Sequence, residues 1–135
     1  MHRKEIVIGT RSRGFTELTR QVAGFVTAAG ISHGLCNVFL PHTSASLLLG
    51  ENADPSVRRD LDAFMARLVP DGDPRYEHDA EGPDDMPSHI RAALTQNSIV
   101  LPVVDGKLAL GTWQGLYLWE HREAPHERRV LLSVW

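Results

Sequence analysis

The last third of the chain is a succession of short apolar runs joined by tight turns, and this spacing limits the fold more than any other feature. The runs cover residues 99–104, 107–110, 116–123 and 129–135. Asp105-Gly106 separates the first two, and an Asp-Gly pair between alternating apolar runs is typical of a β-hairpin turn. Because connections this short join strands that run in opposite directions, the pattern predicts an antiparallel sheet.

Helix signals in the first two thirds of the chain are grouped and do not alternate with every strand. Thr16 and Glu17 predict the start of one helix, and Gly30 predicts its end. Asp54-Pro55 predicts the start of a second helix, since Asp is a good cap and Pro suits the first helical position. The buried stripe expected on this second helix consists of Val57, Leu61, Met65 and Leu68.

A third, shorter helix is predicted over residues 86–95, with Ile90 and Leu94 facing inward. Strands are predicted at residues 5–9 and 34–42. Runs of strands beside grouped helices indicate an α+β fold. We therefore expect one compact domain over residues 1–135, mainly antiparallel β-sheet, with two to three helices.

Composition excludes several classes of protein. The 135 residues carry a formal charge of −3, which gives no basic footprint for nucleic acid. Cys36 is the one cysteine, so no intrachain disulfide forms, and its apolar neighbours indicate burial. No apolar run reaches the roughly 20 residues of a transmembrane helix, and no signal-peptide segment is present. We expect a soluble cytoplasmic protein that binds neither nucleic acid nor membrane.

His42, Thr43 and Ser44 lie at the junction of two apolar runs and form the first candidate site. A histidine followed by hydroxyls combines a base or donor with several short donors. Such a set holds a phosphate or stabilises developing negative charge. The alternative is a turn in which the hydroxyls bond backbone groups and His42 only packs.

Residues 70–85 form a long polar connection, and such segments are either disordered or functional. His78 lies within it. Asp85 and His89 follow with a spacing of four, which puts both side chains on one face if a helix starts early enough. Two histidines and a carboxylate suit a metal site that leaves room for substrate or water. The alternative is a helix cap beside exposed histidines.

Residues 111–122 form the third candidate, a glycine-bounded turn that leads into a strand with a polar end. Alternation divides the strand into two faces, with Tyr117, Trp119 and His121 on one and Leu118, Glu120 and Arg122 on the other. Two aromatics beside an ionisable group are pocket-like. Arg122 suits a carboxylate or phosphate, and Glu120 would orient a histidine or pair with Arg122. The alternative is a strand whose polar end lies at the surface.

Serine-hydrolase and phosphate-loop motifs are absent from the chain. Its segments together closely resemble the YjbQ-like family, also described as the secondary thiamine-phosphate synthase family. The resemblance covers nearly the whole chain and is specific, because several long motifs occur in order. These motifs are residues 12–15, 42–47, 51–58, 76–79, 84–90, 111–115 and 120–122.

The resemblance implies a compact α+β fold, a homotrimer with pockets near subunit boundaries, and thiamine-phosphate synthase activity. That reaction joins hydroxymethylpyrimidine diphosphate to thiazole phosphate and yields thiamine phosphate and diphosphate. The word secondary leaves room for a different main role, and family membership alone does not fix chemistry.

The site predicted for this activity gathers the histidines around carboxylates and anion donors. The catalytic residues are His42, Glu51, Asp85 and His121; the phosphate or anion ligands are Thr43, Ser44, Thr112, Gln114 and Arg122; the metal ligands are His78, His89 and His121. A divalent ion, zinc or magnesium, together with Arg122 would neutralise a diphosphate leaving group. His42 or His121 would move the proton.

Two other functions remain open for this sequence. The first is a metal-dependent hydrolase that acts on a small phosphorylated or carbonyl substrate. The second is a trimeric protein that binds a small anion and has no catalytic activity. Hydroxyls and arginine favour a small phosphorylated or anionic partner in all three cases.

Overall fold

Two antiparallel sheets form the framework of the computed structural model, which describes residues 1–135. The larger sheet has the order β1-β8-β3-β5-β6, with strands His2–Thr10 (β1), Gly34–Phe39 (β3), Ser98–Val104 (β5), Lys107–Leu108 (β6) and His126–Val134 (β8). The smaller sheet has the order β2-β7-β4, with strands Gly14–Glu17 (β2), Ala45–Glu51 (β4) and Gln114–Glu120 (β7). All named strand pairs are antiparallel, as the short connections predicted.

Three helices complete the domain: Thr19–Ala29 (α1), Pro55–Leu68 (α2) and Asp85–Leu94 (α3). The predicted α+β fold is therefore confirmed. Asp54 caps α2 through the backbone N–H of Ser56, and Pro55 takes the first turn, as expected. None of the three helices combines the length and apolar character that membrane crossing requires.

The hydrophobic core lies between the two sheets and α1. Alternate strand residues face it, such as Val38 of β3 and Leu118 of β7, and Val22 of α1 joins them, all fully buried. Cys36 lies in the same core, and burial raises the pKa of its thiol to about 11. The cysteine is thus the small buried hydrophobe that its apolar neighbours indicated.

The predicted start of the first helix at Thr16 and Glu17 is wrong. Both residues belong to β2, where Thr16 pairs with Leu118 of β7. Phe15 stacks on Trp119 with ring centroids 4.6 Å apart, which favours the strand over a helical turn at this point. The helix begins at Thr19, and no side chain caps it.

The predicted buried stripes of α2 and α3 are only partly correct. Met65 is buried, whereas Leu68 is 56% exposed and Leu94 is 59% exposed. Both exposed leucines sit in the last turn of their helix, beyond the small cluster that Met65 forms with Val69 and Trp119. These helices cover the smaller sheet over part of their length only.

The pairing of β4 with β7 decides which residues can share a pocket within one chain. Ala45 lies opposite Glu120 at one end of this ladder, and Glu51 lies opposite Gln114 at the other end. Six residues of strand separate the two ends, which corresponds to about 20 Å. Residues 42–44 and 121–122 flank the first end, and residues 111–113 precede the second.

Candidate functional site

The start of α3 brings the second candidate site together. Asp85 is the first residue of the helix and His89 lies one turn later, so the two side chains meet on one face. Asp85 Oδ1 lies 3.3 Å from Nε2 of His89, and Asp85 Oδ2 lies 2.5 Å from Nε2 of His78. The donor atoms of the three residues all lie within 4.8 Å of one another. We call these three residues the histidine cluster.

A backbone contact prepares His89 to act as a ligand. Its Nδ1 lies 2.9 Å from the carbonyl oxygen of Thr43. A carbonyl only accepts, so Nδ1 carries the proton and Nε2 presents its lone pair to the cluster when the ring is neutral. Metal-binding histidines commonly have this arrangement, because the outer hydrogen bond fixes the ring and its tautomer.

Asp85 is almost fully buried, and its neighbours keep its carboxyl group ionised. Its side chain is 2% exposed, and NH1 of Arg122 donates to its Oδ1 at 2.8 Å. Burial opposes ionisation, but the hydrogen bond from His78 and the charge of Arg122 outweigh it and lower the pKa of this carboxyl. The donor set, two imidazoles and one carboxylate, can hold a divalent transition metal and fits zinc.

The guanidinium group of Arg122 donates hydrogen bonds to α3 and to the loop before it. Its Nε donates to Asp84 Oδ2 at 2.9 Å, its NH1 donates to Asp85, and its NH2 donates to the carbonyl of Glu81 at 3.0 Å. These carboxylates raise the pKa of the guanidinium against the opposing effect of burial. Pairing with Arg122 was one of two roles expected for Glu120, and the guanidinium does not make this pair; it contacts Asp84 and orients Asp85 instead of facing open space.

Glu120 has a different partner, which the sequence did not indicate. Arg128 donates to both carboxylate oxygens, at 2.8 and 2.5 Å, and the hydroxyl of Thr10 donates at 2.7 Å. Both charged side chains are nearly fully buried. Burial alone would raise the pKa of Glu120, but the bonds from Arg128 and Thr10 lower it. Eight residues separate the pair across a turn, and no local pattern marks the spacing.

His42 lies beside the cluster but is not free to act as a base through both nitrogens. Its Nε2 accepts the backbone N–H of Arg129 at 2.8 Å, which leaves the proton on Nδ1. Burial and the charges of Arg128 and Arg129 lower the pKa of His42, so the ring is a neutral donor near pH 7. Its side chain lines a cleft of about 320 Å³ together with Thr43, His89 and Asn97.

Thr43 and Ser44 face in different directions, although the sequence presents them as one set of hydroxyls. Thr43 is exposed at the cleft, whereas Ser44 is buried and its hydroxyl accepts from Arg128 at 2.9 Å. Thr43 is thus the hydroxyl that a bound anion can reach. Asn97, at the end of the same cleft, was not predicted, because a lone asparagine after a helix carries no distinctive signal.

The imidazole of His121 lies away from the histidine cluster. It is fully buried, and its Nε2 lies 2.9 Å from the hydroxyl of Ser46, while its Nδ1 has no partner. Burial and the nearby charge of Arg91 lower the pKa of His121 to about 3. Its carbonyl accepts from the hydroxyl of Ser88 in α3 at 2.7 Å. Within this chain its ring joins no ligand group and stays neutral at physiological pH.

Glu51, Thr112 and Gln114 lie at the other end of the β4–β7 ladder, about 20 Å of strand from the histidines. Glu51 accepts from the backbone N–H of Asp54 at 3.0 Å, ahead of α2. Gln114 closes its own turn by accepting from the backbone N–H of Gly111 at 2.9 Å. One chain therefore does not bring these residues into the pocket that contains His42 and His89.

Comparison with known proteins relates this architecture to one family. Residues 4–135 match the family described as UPF0047 protein YjbQ-like. A UPF0047 protein of Synechocystis is 50% identical over 98% of this chain and 90% of its own length. The UPF0047 protein YjbQ of Escherichia coli O157:H7 is 43% identical over 98% of this chain and 96% of its own length.

Solved structures agree with the fold. A conserved protein of the YjbQ/UPF0047 family from Clostridium acetobutylicum aligns with a TM-score of 0.89 and 36% identity, over 98% of this chain and 99% of its own. A hypothetical protein from Aeropyrum pernix K1 aligns with a TM-score of 0.90 and 30% identity, over 100% of this chain and 98% of its own. The two-sheet architecture is thus shared by these relatives.

Proposed function

The chain belongs to the YjbQ-like UPF0047 family, and we propose that it is a divalent-metal-dependent enzyme that acts on a small phosphorylated substrate. The observation that carries this proposal is the histidine cluster, whose donor atoms lie within 4.8 Å of one another at the edge of an open cleft. The outer bonds of the cluster support the same interpretation, because the Thr43 carbonyl orients His89 and Arg122 orients Asp85.

The ligand chemistry favours zinc over magnesium as the resident ion. Magnesium prefers an octahedral shell of oxygen atoms, whereas His78 and His89 offer nitrogen. Two histidines and one carboxylate, with a position left open, are typical of catalytic zinc. When bound, such an ion would supply positive charge for departing phosphate oxygens and would polarise a phosphoryl group or a water molecule.

The side chains of the cleft supply the binding energy for the phosphate. The proton on Nδ1 of His42, the hydroxyl of Thr43 and the amide of Asn97 are three donors around one depression. None of them carries a full charge, but Arg128 and Arg129 lie close enough to lower the pKa of His42. This field and these donors favour an oxyanion at the cleft.

Thiamine-phosphate synthesis is the reaction proposed first. The thiazole nitrogen forms a bond to the methylene carbon of hydroxymethylpyrimidine diphosphate, and the carbon–oxygen bond breaks with its electron pair leaving on diphosphate. This exchange needs no proton transfer, so it needs no free base. It therefore agrees with a His42 whose Nε2 is occupied by the Arg129 N–H. The residues of the cleft hold the leaving diphosphate.

Hydrolysis of a phosphate ester is the second candidate. The observation that favours it is the donor set itself, since two histidines and one carboxylate also occur in zinc hydrolases. The same ligands thus serve either reaction, and the products decide between them.

The test is an assay of metal-free protein with hydroxymethylpyrimidine diphosphate and thiazole phosphate, before and after zinc is added. We expect thiamine phosphate and diphosphate only with metal, and the products are measured by mass spectrometry. Release of monophosphate without thiazole would assign hydrolysis. Binding of both compounds without any product would contradict an enzyme and favour an anion-binding protein. A His33→Ala control variant is expected to keep the zinc-dependent turnover of wild type, because His33 is 68% exposed, lies beside Asp105 and is outside the histidine cluster.

We further propose that the protein is a homotrimer, as the family resemblance implies. The outer face of the larger sheet supports an interface, since Val7 is 55% exposed and Val100 is 53% exposed. The largest depression, about 470 Å³, lies on this face and contains Phe39 and Leu131, away from the histidines. Light scattering is expected to give the mass of three chains, and Val100→Glu is expected to lower it. A monomeric wild-type protein would contradict the trimer.

A further inference from the structure

A buried ion pair contacts both of the segments that orient the histidine cluster. The guanidinium of Arg128 donates to both carboxylate oxygens of Glu120, and the two side chains are 5% and 1% exposed. Stability alone is a poor reason to bury two charges, because the cost of removing them from water often exceeds the energy gained by pairing. We call Glu120 and Arg128 the buried pair, and their other partners indicate what the pair does.

Arg128 fixes the segment that orients His89. Its guanidinium donates to the hydroxyl of Ser44 at 2.9 Å and to the carbonyl of Ser44 at 3.2 Å. The preceding residue, Thr43, supplies the carbonyl that accepts from Nδ1 of His89 at 2.9 Å. That carbonyl shares a planar peptide unit with the Cα of Ser44, so anchoring Ser44 limits where the carbonyl points.

Glu120 fixes the segment that orients Asp85. Its Oε2 accepts the backbone N–H of His121 at 3.1 Å and that of Arg122 at 3.3 Å. Both residues lie beyond the end of β7. The guanidinium of Arg122 in turn donates to Oδ1 of Asp85 at 2.8 Å. The carboxylate of Glu120 thus holds the backbone from which Arg122 reaches the cluster.

The buried pair is itself held in one orientation. The hydroxyl of Thr10 in β1 donates to Oε1 of Glu120 at 2.7 Å and accepts the backbone N–H of His126 at 3.1 Å. Oε1 also accepts from Nε of Arg128 at 2.8 Å, so both oxygens of the carboxylate are bonded. Side chains fixed in this way can hold a site to the narrow geometry that function needs.

We propose that the buried pair positions the metal ligands of the histidine cluster, although neither of its members is one of the three ligands. Arg128 acts on His89 through the segment before β4, and Glu120 acts on Asp85 through the segment after β7. This inference deepens the proposed function and rests on it for the identity of the cluster as a metal site. Zinc affinity then depends on two side chains that offer no atom to the ion.

Arg128→Lys tests the proposal, because lysine keeps the charge but lacks the planar fork that bonds Glu120 and Ser44 together. Zinc affinity is expected to fall about tenfold, at the lower end of the 10–100-fold range for groups that orient ligands. Arg58→Lys is the matched control. Arg58 donates to the hydroxyl of Tyr117 and to a backbone carbonyl at the other end of the β4–β7 ladder. Its zinc affinity is expected to stay within about twofold of wild type, and urea unfolding separates any loss of stability from loss of affinity.

A second readout uses metal-free protein and does not depend on zinc. At about pH 8, above the ordinary pKa of histidine, nitrogen NMR spectra of wild type and Arg58→Lys are expected to show His89 with its proton on Nδ1, bonded to Thr43. In Arg128→Lys the form with the proton on Nε2 is expected to increase, because the Thr43 carbonyl is no longer held in place.

Hydrogen exchange on the wild-type protein covers the case in which a variant does not fold. The backbone N–H groups of His121 and Arg122 are expected to be protected as strongly as that of Leu118 within β7, because the carboxylate of Glu120 accepts both. Exchange at these two positions as fast as at the exposed Asp79 would overturn the proposal.

A folded Arg128→Lys variant with the zinc affinity and the His89 tautomer of wild type would also overturn it. Failure of the proposed function gives a different result, since a wild-type protein that binds no zinc contradicts the metal site alone. The tautomer and the exchange rates are measured without metal, so they still decide whether the buried pair orients the cluster.

Discussion

Replacing Asp85 with asparagine is expected to reduce zinc affinity at the histidine cluster by at least about 100-fold, since even residues that only orient ligands cost 10–100-fold. The substitution keeps the shape of the side chain and removes the charge that lies within reach of His78 and His89. Arg122 keeps its bond to Asp84, so the local structure retains one ion pair. Zinc affinity is measured by competition with a chromophoric chelator, and folding by circular dichroism.

Asp79→Asn is the matched control for this substitution, because Asp79 is exposed in the same acidic loop and stands outside the cluster. Its zinc affinity is expected to stay within about twofold of wild type. His89→Ala is an independent variant that leaves the Arg122–Asp85 pair intact. Its zinc affinity is expected to fall by as large a factor as that of Asp85→Asn. Equal affinities in wild type, Asp85→Asn and His89→Ala would contradict the assignment of the cluster.

Acidification from pH 6.5 to about 3 is expected to destabilise the protein strongly, and His121 accounts for much of the loss. Its pKa is about 3 in the folded state, because it is buried near Arg91, against an ordinary value of 6.5. Between these two pKa values His121 is protonated in the unfolded chain and neutral in the folded chain. The free energy of unfolding therefore falls as pH falls. Each pH unit is worth up to about 1.4 kcal/mol, and the whole window approaches ~5 kcal/mol.

His121→Phe tests this contribution by removing the titrating group and keeping a ring of similar shape. At pH 7 the variant is expected to lose about 1–3 kcal/mol, because the buried hydroxyl of Ser46 loses its partner. Its stability is then expected to fall much less between pH 6.5 and 3 than that of wild type, as measured by urea unfolding. His33→Phe, at an exposed site, should keep the wild-type slope. Identical slopes for wild type and His121→Phe would contradict a buried neutral histidine.

Glu120 adds to the acid sensitivity in a lower range. Its pKa is depressed, since the bonds from Arg128 and Thr10 outweigh burial. The stability that this carboxylate contributes is fully present above its ordinary value of 4.5 and is lost as pH falls through the lower folded value. The difference between wild type and His121→Phe isolates the histidine, because both proteins keep Glu120.

The histidine cluster could be predicted from the sequence because its geometry is local. Asp85 and His89 are four residues apart, and any helix that includes both places them on one face. His78 lies in the connection that leads into this helix, so it needs only a short return of the chain to reach Asp85. The Asp105-Gly106 hairpin was predictable for the same reason, and its φ values of 51° and 76° match the expected turn.

The remaining part of the predicted pocket is not assembled within one chain, because it depends on long-range pairing. Whether Gln114 lies near His42 is decided by the register of β4 against β7, which places them at opposite ends of the ladder. No local pattern contains that register. A pocket that also includes Glu51 and Thr112 therefore needs a second copy of the chain.

His121 illustrates a further limit of sequence interpretation. The alternation of side chains along the strand correctly placed His121 on the same face as Trp119, and the two ring centroids are 5.2 Å apart. That side turned out to be buried against Ser46, and the hydrogen bond between His121 and α3 is made by its backbone carbonyl. Composition alone does not distinguish a buried neutral histidine from a ligand, because both lie beside apolar residues.

Membership of the family supports a statement about the fold, whereas the histidine cluster supports a statement about chemistry. The relatives establish a shared fold over nearly the whole chain, and the UPF0047 description assigns them no reaction. The chemistry must therefore be argued from the site. The features that carry it are a pair of histidines on a buried aspartate and a donor-lined cleft that includes His89.

The central claim is that the histidine cluster binds a divalent ion, and anomalous diffraction from zinc-loaded crystals tests it most directly. The account predicts one ion per chain, about 2.0–2.1 Å from Nε2 of His78 and of His89 and about 2.0–2.2 Å from a carboxylate oxygen of Asp85. Crystals of Asp85→Asn, prepared identically, are expected to show no peak at that position. A wild-type protein saturated with zinc that shows no anomalous peak between these three residues would contradict the account.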